Sequence, residues 1–211
     1  AFGLPLAAGW QDDLRLEILK EHVLKLCLKW PGPLSIAPLP LPRGWAEGGA
    51  QLSETLFGPA GELPTDPDRF DAFLETSSGV APVLRAISQV FPPHAAVRAV
   101  LPLTTGPRVF SGCLQDNSVP ARHADHPVLG RIERTYGRGP LWTAVAVAYD
   151  LEACLARTLP LPDLSPGQAI VPAARGLYGI RAKVTDGRVT GFRRITPTDH
   201  LLMPAGVLDQ S

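Results

Sequence analysis

Cysteine is scarce. Cys27, Cys113 and Cys154 stand far apart among 211 residues, and no Cys-x-x-Cys occurs. An odd number of isolated cysteines signals neither a disulfide framework nor a thiolate metal site, and a reducing, cytoplasmic setting is expected. Net charge is missing too: twenty basic residues balance twenty acidic ones. No overall field therefore draws the chain to nucleic acid or to an anionic membrane, and neither is expected as a partner. No apolar run is long enough to cross a bilayer, and the apolar opening Ala1-Phe2-Gly3-Leu4-Pro5-Leu6 has no basic leader, so neither an anchor nor a signal peptide is expected. The single methionine is Met203, so the chain does not open on an initiator residue and its ends are left open. Gly-rich phosphate loops, the Gly-x-Ser-x-Gly elbow and His-Glu-x-x-His are all absent, which removes the usual signatures of nucleotide, acyl-transfer and zinc-protease chemistry.

Proline and glycine are abundant instead, 23 and 20 residues. That is short of a disordered composition and points to long irregular connections within one domain spanning residues 1–211, which is long enough to bury a core. Gln11 to Trp30 reads as a helix, with Asp12 and Asp13 at its electropositive start and Leu16, Leu19, Val23, Leu26, Cys27 and Trp30 at spacings of three and four. His22 and Cys27 on it read as a helix-face histidine and a small core cysteine. The Pro- and Gly-rich region, residues 31–65, reads as an ordered packed loop, because Trp45, Leu52, Leu56 and Phe57 need burial. Asp66-Pro67 caps a short helix carrying Phe70, Phe73 and Leu74, and a second runs from Ala81-Pro82 to Val90 with Val83, Leu84 and Ile87 inward. Ala95 to Leu103 fits a turn of helix or a strand equally. Helices follow over Pro127 to Tyr136 and Pro140 to Leu159, the second rich in alanines that permit close packing.

Arg122-His123-Ala124-Asp125-His126 places two imidazoles and a carboxylate close together. His123 and His126 can share a helix face, but Pro127 favours His126 or Asp125 as a helix cap, which leaves His123 outside. A tetrahedral metal site needs more ligands than this stretch offers. A metal-dependent enzyme built on His123, His126 and Asp125 is the minor alternative.

The clearest local signal lies at the C-terminal end, where two β-prone runs flank Asp186-Gly187, a dipeptide suited to a two-residue type I′ turn. Thr185 then opposes Arg188, and the same register carried outward sets Arg175 opposite Thr198. Gly179 and Gly191 are places where a bulge would shift that pairing. The fold class expected is α+β, a mainly helical bundle with a small antiparallel sheet built on this hairpin, at about 175–198.

Pro172-Ala173-Ala174-Arg175-Gly176-Leu177, the hairpin, and Ile195-Thr196-Pro197-Thr198 together resemble the C-terminal region of NiFe-hydrogenase large subunits, in which Glu-Ala-Pro-Arg-Gly-Leu leads through such a hairpin to Pro-Thr-Thr-Trp-Asn. Asp116-Asn117-Ser118-Val119-Pro120-Ala121-Arg122 resembles a degraded form of that family's Glu-Thr-Gly-x-Leu-Ala-Arg segment. Glu21-His22-Val23-Leu24-Lys25-Leu26, Lys29-Trp30-Pro31 and Ala121-Arg122-His123-Ala124-Asp125-His126-Pro127 look more like a cysteine-poor offshoot, the hydrogenase expression/formation proteins of HupK/HoxV type. Both Cys-x-x-Cys motifs that hold nickel and iron in active large subunits are missing here. Pro172 or Ala173 replaces the glutamate, Ala174 the proline, and His200-Leu201 the Trp-Asn.

The resemblance therefore implies a non-catalytic maturation scaffold, not a hydrogenase, with no permanently bound cofactor and a transient Fe(CN)2(CO) unit as cargo. Arg175 would grip cyanide and Pro197-Thr198 would donate to it, since an anionic nitrogen suits charge-assisted hydrogen bonds. Asp199 or His200 would orient the unit or replace missing ligands, with Asp116 and Arg122 in support. Arg175 paired simply with Asp116 or Asp199 is the competing expectation. A second class is a vestigial large-subunit-like module that docks a hydrogenase chaperone or subunit without any metal fragment. The partners implied are hydrogenase maturation chaperones and hydrogenase subunits.

Overall fold

The computed structural model describes residues 5–207, so the apolar opening at residues 1–4 and the terminus at 208–211 lie outside the described residues. Among the described residues, seven α-helices and one sheet make an α+β fold: α1 (Trp10–Val23), α2 (Ala50–Phe57), α3 (Pro67–Leu74), α4 (Ala81–Val90), α5 (Pro127–Tyr136), α6 (Pro140–Ala156), strands β1 (Asp163–Ser165), β2 (Gln168–Ala173), β3 (Gly176–Thr185) and β4 (Arg188–Ile195), then α7 (Pro197–Leu201). No described helix is long and apolar enough to cross a membrane.

α6 is the centre of the helical layer. Leu141, Trp142, Ala144 through Leu151 and Cys154 are all buried, so the helix is covered on every side, as a helix apolar all round must be. Pro140 at its first position suits the helical φ, and Arg157 in the left-handed region ends it before the expected Leu159. The guanidiniums of Arg98 and Arg138 both approach the Trp142 ring, 5.0 and 5.2 Å from its centroid. The Tyr149 hydroxyl donates to the Pro64 carbonyl at 2.6 Å, and Glu152 accepts from the Leu63 amide. The Pro-rich segment is thereby tied to the core helix.

The first helix departs from a regular α-helix. Beyond Val23 it widens into a π-type stretch over Leu24–Lys29, the Trp30 amide donating back to Lys25 at 2.9 Å. The loop expected across 35–64 contains the helix α2, bracketed by Gly49 and Gly58 at positive φ. Its Leu52, Leu56 and Phe57 take the burial the sequence called for. Ala95 to Leu103 is neither helix nor strand. His94 and Ala96 take positive φ and interrupt either form, leaving a single bridge from Leu103 to Asp116. α3 begins as read, the Asp66 carboxylate accepting from the Asp68 and Arg69 amides.

The four strands form an antiparallel meander, β1-β2-β3-β4, so the hairpin is only half of the sheet. Its turn is type I′, with φ of 49° at Asp186 and 72° at Gly187, and Thr185 opposes Arg188. Val184 opposes Val189, but Lys183 opposes Gly191, which leaves Thr190 as the extra residue of a bulge. The ladder then ends at Gly179 and Ile195. Arg175 is not opposite Thr198: β3 starts by pairing with β2, Ala173 against Gly176, and Ala174-Arg175 is itself a two-residue turn. Gly176 permits it, because a Cβ there would meet the Asn117 backbone oxygen at 2.5 Å. Gly179 is likewise a close-approach residue rather than a bulge, and it seats the sheet on the small cluster of Val109, Phe110 and Ile170.

A Cβ at Gly179 would stand 2.8 Å from Phe110 and 3.1 Å from Val109, whereas one at Gly191 would touch only Lys183 Cβ at 3.5 Å. Gly179→Ala should therefore lose about 1–3 kcal/mol by overpacking in urea unfolding, and Gly191→Ala should lose far less.

Candidate functional site

The buried centre of the molecule is a carboxylate, Asp150, on α6. Both its oxygens are fully used. Oδ1 accepts from Arg122 Nε at 2.8 Å and His123 Nε2 at 2.9 Å, and Oδ2 accepts from Arg122 Nη2 and from His22 Nε2 at 2.7 Å. Asp150 and His22 have no solvent exposure, and the Arg122 side chain has 3%. Burial alone would push the Asp150 carboxyl up, but the Arg122 charge and the hydrogen bonds from Arg122, His123 and His22 hold it well below the usual carboxylate range. Burial pushes His22 down against the pull of Asp150. It stays neutral with its proton on Nε2, because the carboxylate fixes that tautomer.

Arg122 also reaches the sheet. Its Nη1 donates to the carbonyls of Ala173 at 3.0 Å and Gly176 at 2.6 Å, the two residues that flank the Ala174-Arg175 turn. From the other side Lys25 Nζ donates to the carbonyl of Ala174 at 3.2 Å. The carbonyls of Ala173, Ala174 and Gly176 are thus held by cations. Arg175 itself is exposed, and among the described residues its side chain makes no hydrogen bond or ion pair. Its charge is felt by Lys25, whose ammonium is pushed down first by burial, then by Arg175 and Lys29, and up by Glu21 and Asp150. Two cations with donors to spare therefore stand at one turn, an arrangement suited to an anionic hydrogen-bond acceptor.

The other candidate residues have different surroundings. Asp116 is buried against Arg98 at 3.0 Å and does not pair with Arg175. Asp199 is also unavailable to Arg175, since it closes a capping box with Thr196 at the start of α7. Pro197 is buried in the first turn of that helix and Thr198 is exposed. His200 is a structural tie. Asn117 is fixed by two hydrogen bonds to Leu177, at 2.7 and 2.9 Å, and its amide also donates to His200 Nδ1 at 3.1 Å. The His200 Nε2 lies 3.1 Å from the Gln115 side-chain nitrogen, and burial lowers the basicity of the ring. The expectation that His200 orients a cargo meets a ring whose nitrogens are committed inside the fold. Asn117 thus joins α7 to the start of β3, two residues from Arg175.

His126 caps α5 as the sequence suggested, and His123 lies outside that helix. The His126 ring stacks on Tyr149 with centroids 3.9 Å apart, and burial together with the charge of His123 pushes it down to about 4. Both histidines line a cleft of about 550 Å³ with Tyr149 and Glu152. Among the described residues no three His, Cys, Asp or Glu side chains converge to hold a metal ion. Cys27 and Cys154 are buried and Cys113 is exposed, and burial pushes the Cys27 thiol up to about 12.

Sequence reasoning missed Asp150 and Lys25 and saw His22 only as a helix-face residue. Two carboxylates, Asp150 and Glu152, amid an otherwise apolar helix were a readable signal, because a buried charge demands partners. Lys25 stood only within the Glu21–Leu26 stretch that carries the resemblance, and nothing local marked its contact with the Ala174 carbonyl.

Asp150→Asn should cost about 3–5 kcal/mol in unfolding stability by leaving Arg122 buried without a counter-charge, read from urea denaturation. A separate effect concerns the histidines. The folded protein holds His126 near 4 against an ordinary 6.5, so the unfolded chain binds more protons in that window and stability falls as pH drops from about 6.5 to 4. His126→Phe, which keeps a ring on Tyr149, should flatten that slope in unfolding curves across the window.

A known protein is similar along almost the whole chain: the hydrogenase expression/formation protein HupK of Rhodobacter capsulatus is 44% identical over 208 residues, 99% of this chain and 67% of that protein. No family model matches, and no solved structure does.

Proposed function

This chain belongs to the HupK family of hydrogenase expression/formation proteins, and from that premise we propose that it is a non-catalytic assembly scaffold that holds or relays an Fe(CN)2(CO) unit, or its carrier, during hydrogenase formation. One observation carries the reading. The three stretches that resemble the hydrogenase-related families, the first helix with His22 and Lys25, the Arg122-His123 segment and the Ala174-Arg175 turn, meet in space. Asp150 binds the first two, while Arg122 and Lys25 bind the third.

What these residues do follows from their bonding. Asp150 and Arg122 form a rigid floor, since each has its hydrogen-bonding groups committed to buried partners. Lys25 and Arg122 set the backbone of the turn, and Arg175 is left with its guanidinium fork unpaired and facing out. A cyanide nitrogen carries negative charge and accepts hydrogen bonds, so a planar fork with an ammonium nearby matches it in charge and geometry. Thr198 lies on α7, which Asn117 ties to the start of the same strand, and it adds a hydroxyl donor from that side. The cargo is passed on unchanged in this role, which asks for binding and orientation but no thiolate ligands. Maturation chaperones and hydrogenase subunits are the partners that would deliver and receive it.

Protein purified without oxygen from a host that carries the maturation genes should show infrared bands in the cyanide and carbonyl region. Arg175→Ala should lose them while unfolding at the same urea concentration as the parent, because Arg175 makes no hydrogen bond to lose. A parent spectrum blank in that region refutes the cargo reading.

A further inference from the structure

A second cleft lies away from the Ala174-Arg175 turn, at the start of α6. Its volume is about 430 Å³, within the range of about 300–1,000 Å³ typical of small-molecule sites. Trp30, Leu34, Ile87 and Phe91 give it an apolar wall, and Gly139, Pro140 and Thr143 of α6 and its cap also line it. Arg98 and Arg138 are the charged residues of the lining, and among the described residues no carboxylate lines it. We propose that this cleft binds a small organic acid, with the carboxylate on Arg98, Arg138 and the N-terminal end of α6, and the apolar body on Trp30, Leu34, Ile87 and Phe91.

Unmet donors identify the occupant. The Arg138 side chain is only 10% exposed. It donates through Nε to Glu133 at 2.8 Å and through Nη1 to the Leu101 carbonyl at 2.6 Å, which leaves Nη2 without an acceptor among the described residues. Arg98, 15% exposed, pairs through Nη2 with Asp116 and the Ser118 hydroxyl, both at 3.0 Å, while its buried Nε has no hydrogen-bond partner. The indole nitrogen of Trp142, whose ring both guanidiniums approach, is buried and equally unpartnered. A buried donor left without an acceptor is costly. Asp116 and Glu133 each balance one guanidinium, but neither lines the cleft, so the polar groups offered to a ligand are cationic donors. Burial pushes Arg98 down and Asp116 pulls it up, and the Arg138 charge pushes it down again, a repulsion that an anion shared by the two would relieve. α6 adds the same sign, because its N-cap is Gly139 and no side chain caps its first amides. A carboxylate suits the planar guanidinium fork. A neutral or cationic ligand would leave these donors unmet, and a bare inorganic anion would leave the apolar wall in water.

Calorimetric titration of the purified chain tests the site with two acids, octanoate for an aliphatic body and 1-naphthylacetate for an aryl one. At least one should bind saturably, one per chain, and the tighter of the two names the body. Octanol, octylamine and acetate, which lack the charge, reverse it or lack the body, should bind at least tenfold more weakly. Arg138→Gln should weaken the acid at least tenfold. Because that change also removes the bonds to Glu133 and Leu101, Leu34→Glu serves as the second variant: it leaves both arginines in place, sets a carboxylate in the cleft, and should weaken binding as much while the chain still unfolds cooperatively in urea. No saturable binding of either acid, octanol binding as tightly as octanoate, acetate binding as tightly as either acid, or undiminished binding by Leu34→Glu each overturn the proposal. Arg175→Ala should bind the acid as the parent does, so this site and the cargo reading stand or fall separately.

Discussion

The four hydrogen bonds on Asp150 hold together parts of the chain that lie far apart in sequence. A carboxylate without solvent exposure is tolerable only when its charge is balanced and its lone pairs are filled, and here Arg122 does the first while His22, His123 and Arg122 do the second. The requirement works in both directions. Asp150 fixes where α1 and the Arg122 segment sit against α6, and Arg122, so fixed, has its remaining amine free for the carbonyls of the Ala174-Arg175 turn. The sheet is thereby attached to the helical layer through a charged floor as well as through the small apolar cluster of Val109, Phe110 and Ile170.

Two outward surfaces result. One is the turn, where cations hold the carbonyls of Ala173, Ala174 and Gly176 and the Arg175 side chain is exposed. The other is the far face of the sheet, which gains nothing from the core and keeps its apolar residues in water. These are different properties of the same strands: β3 begins at the turn and ends in the hairpin.

Much of this was legible before the fold was known. The Asp186-Gly187 turn was readable because only a few dipeptides accept two positive φ values, and the helices from Asp66 onward because caps and proline positions are local signals. The Arg-Gly-Leu segment and the Pro-Thr turn were singled out by resemblance, and the structure sets Arg175 in a turn free of partners. The expected pairing of Arg175 with Thr198 was lost twice over: the extra residue Thr190 shifts every pair beyond it by one, and the ladder ends at Gly179 and Ile195, with Arg175 in the turn to β2. The helix α2 was hidden because glycines flank it closely and its apolar positions are few.

The sequence by itself determined the local forms: which stretches coil, where they cap and where the hairpin turns. Those follow from neighbours along the chain. Only the tertiary structure decided that Asp150 is the hub, that Lys25 faces the Ala174 carbonyl, that a buried His200 bonds to Asn117, and that one face of the sheet is left uncovered. Each of these depends on what a side chain meets from a distant segment. Burial and pairing of charge are properties of that meeting, which no window of sequence contains.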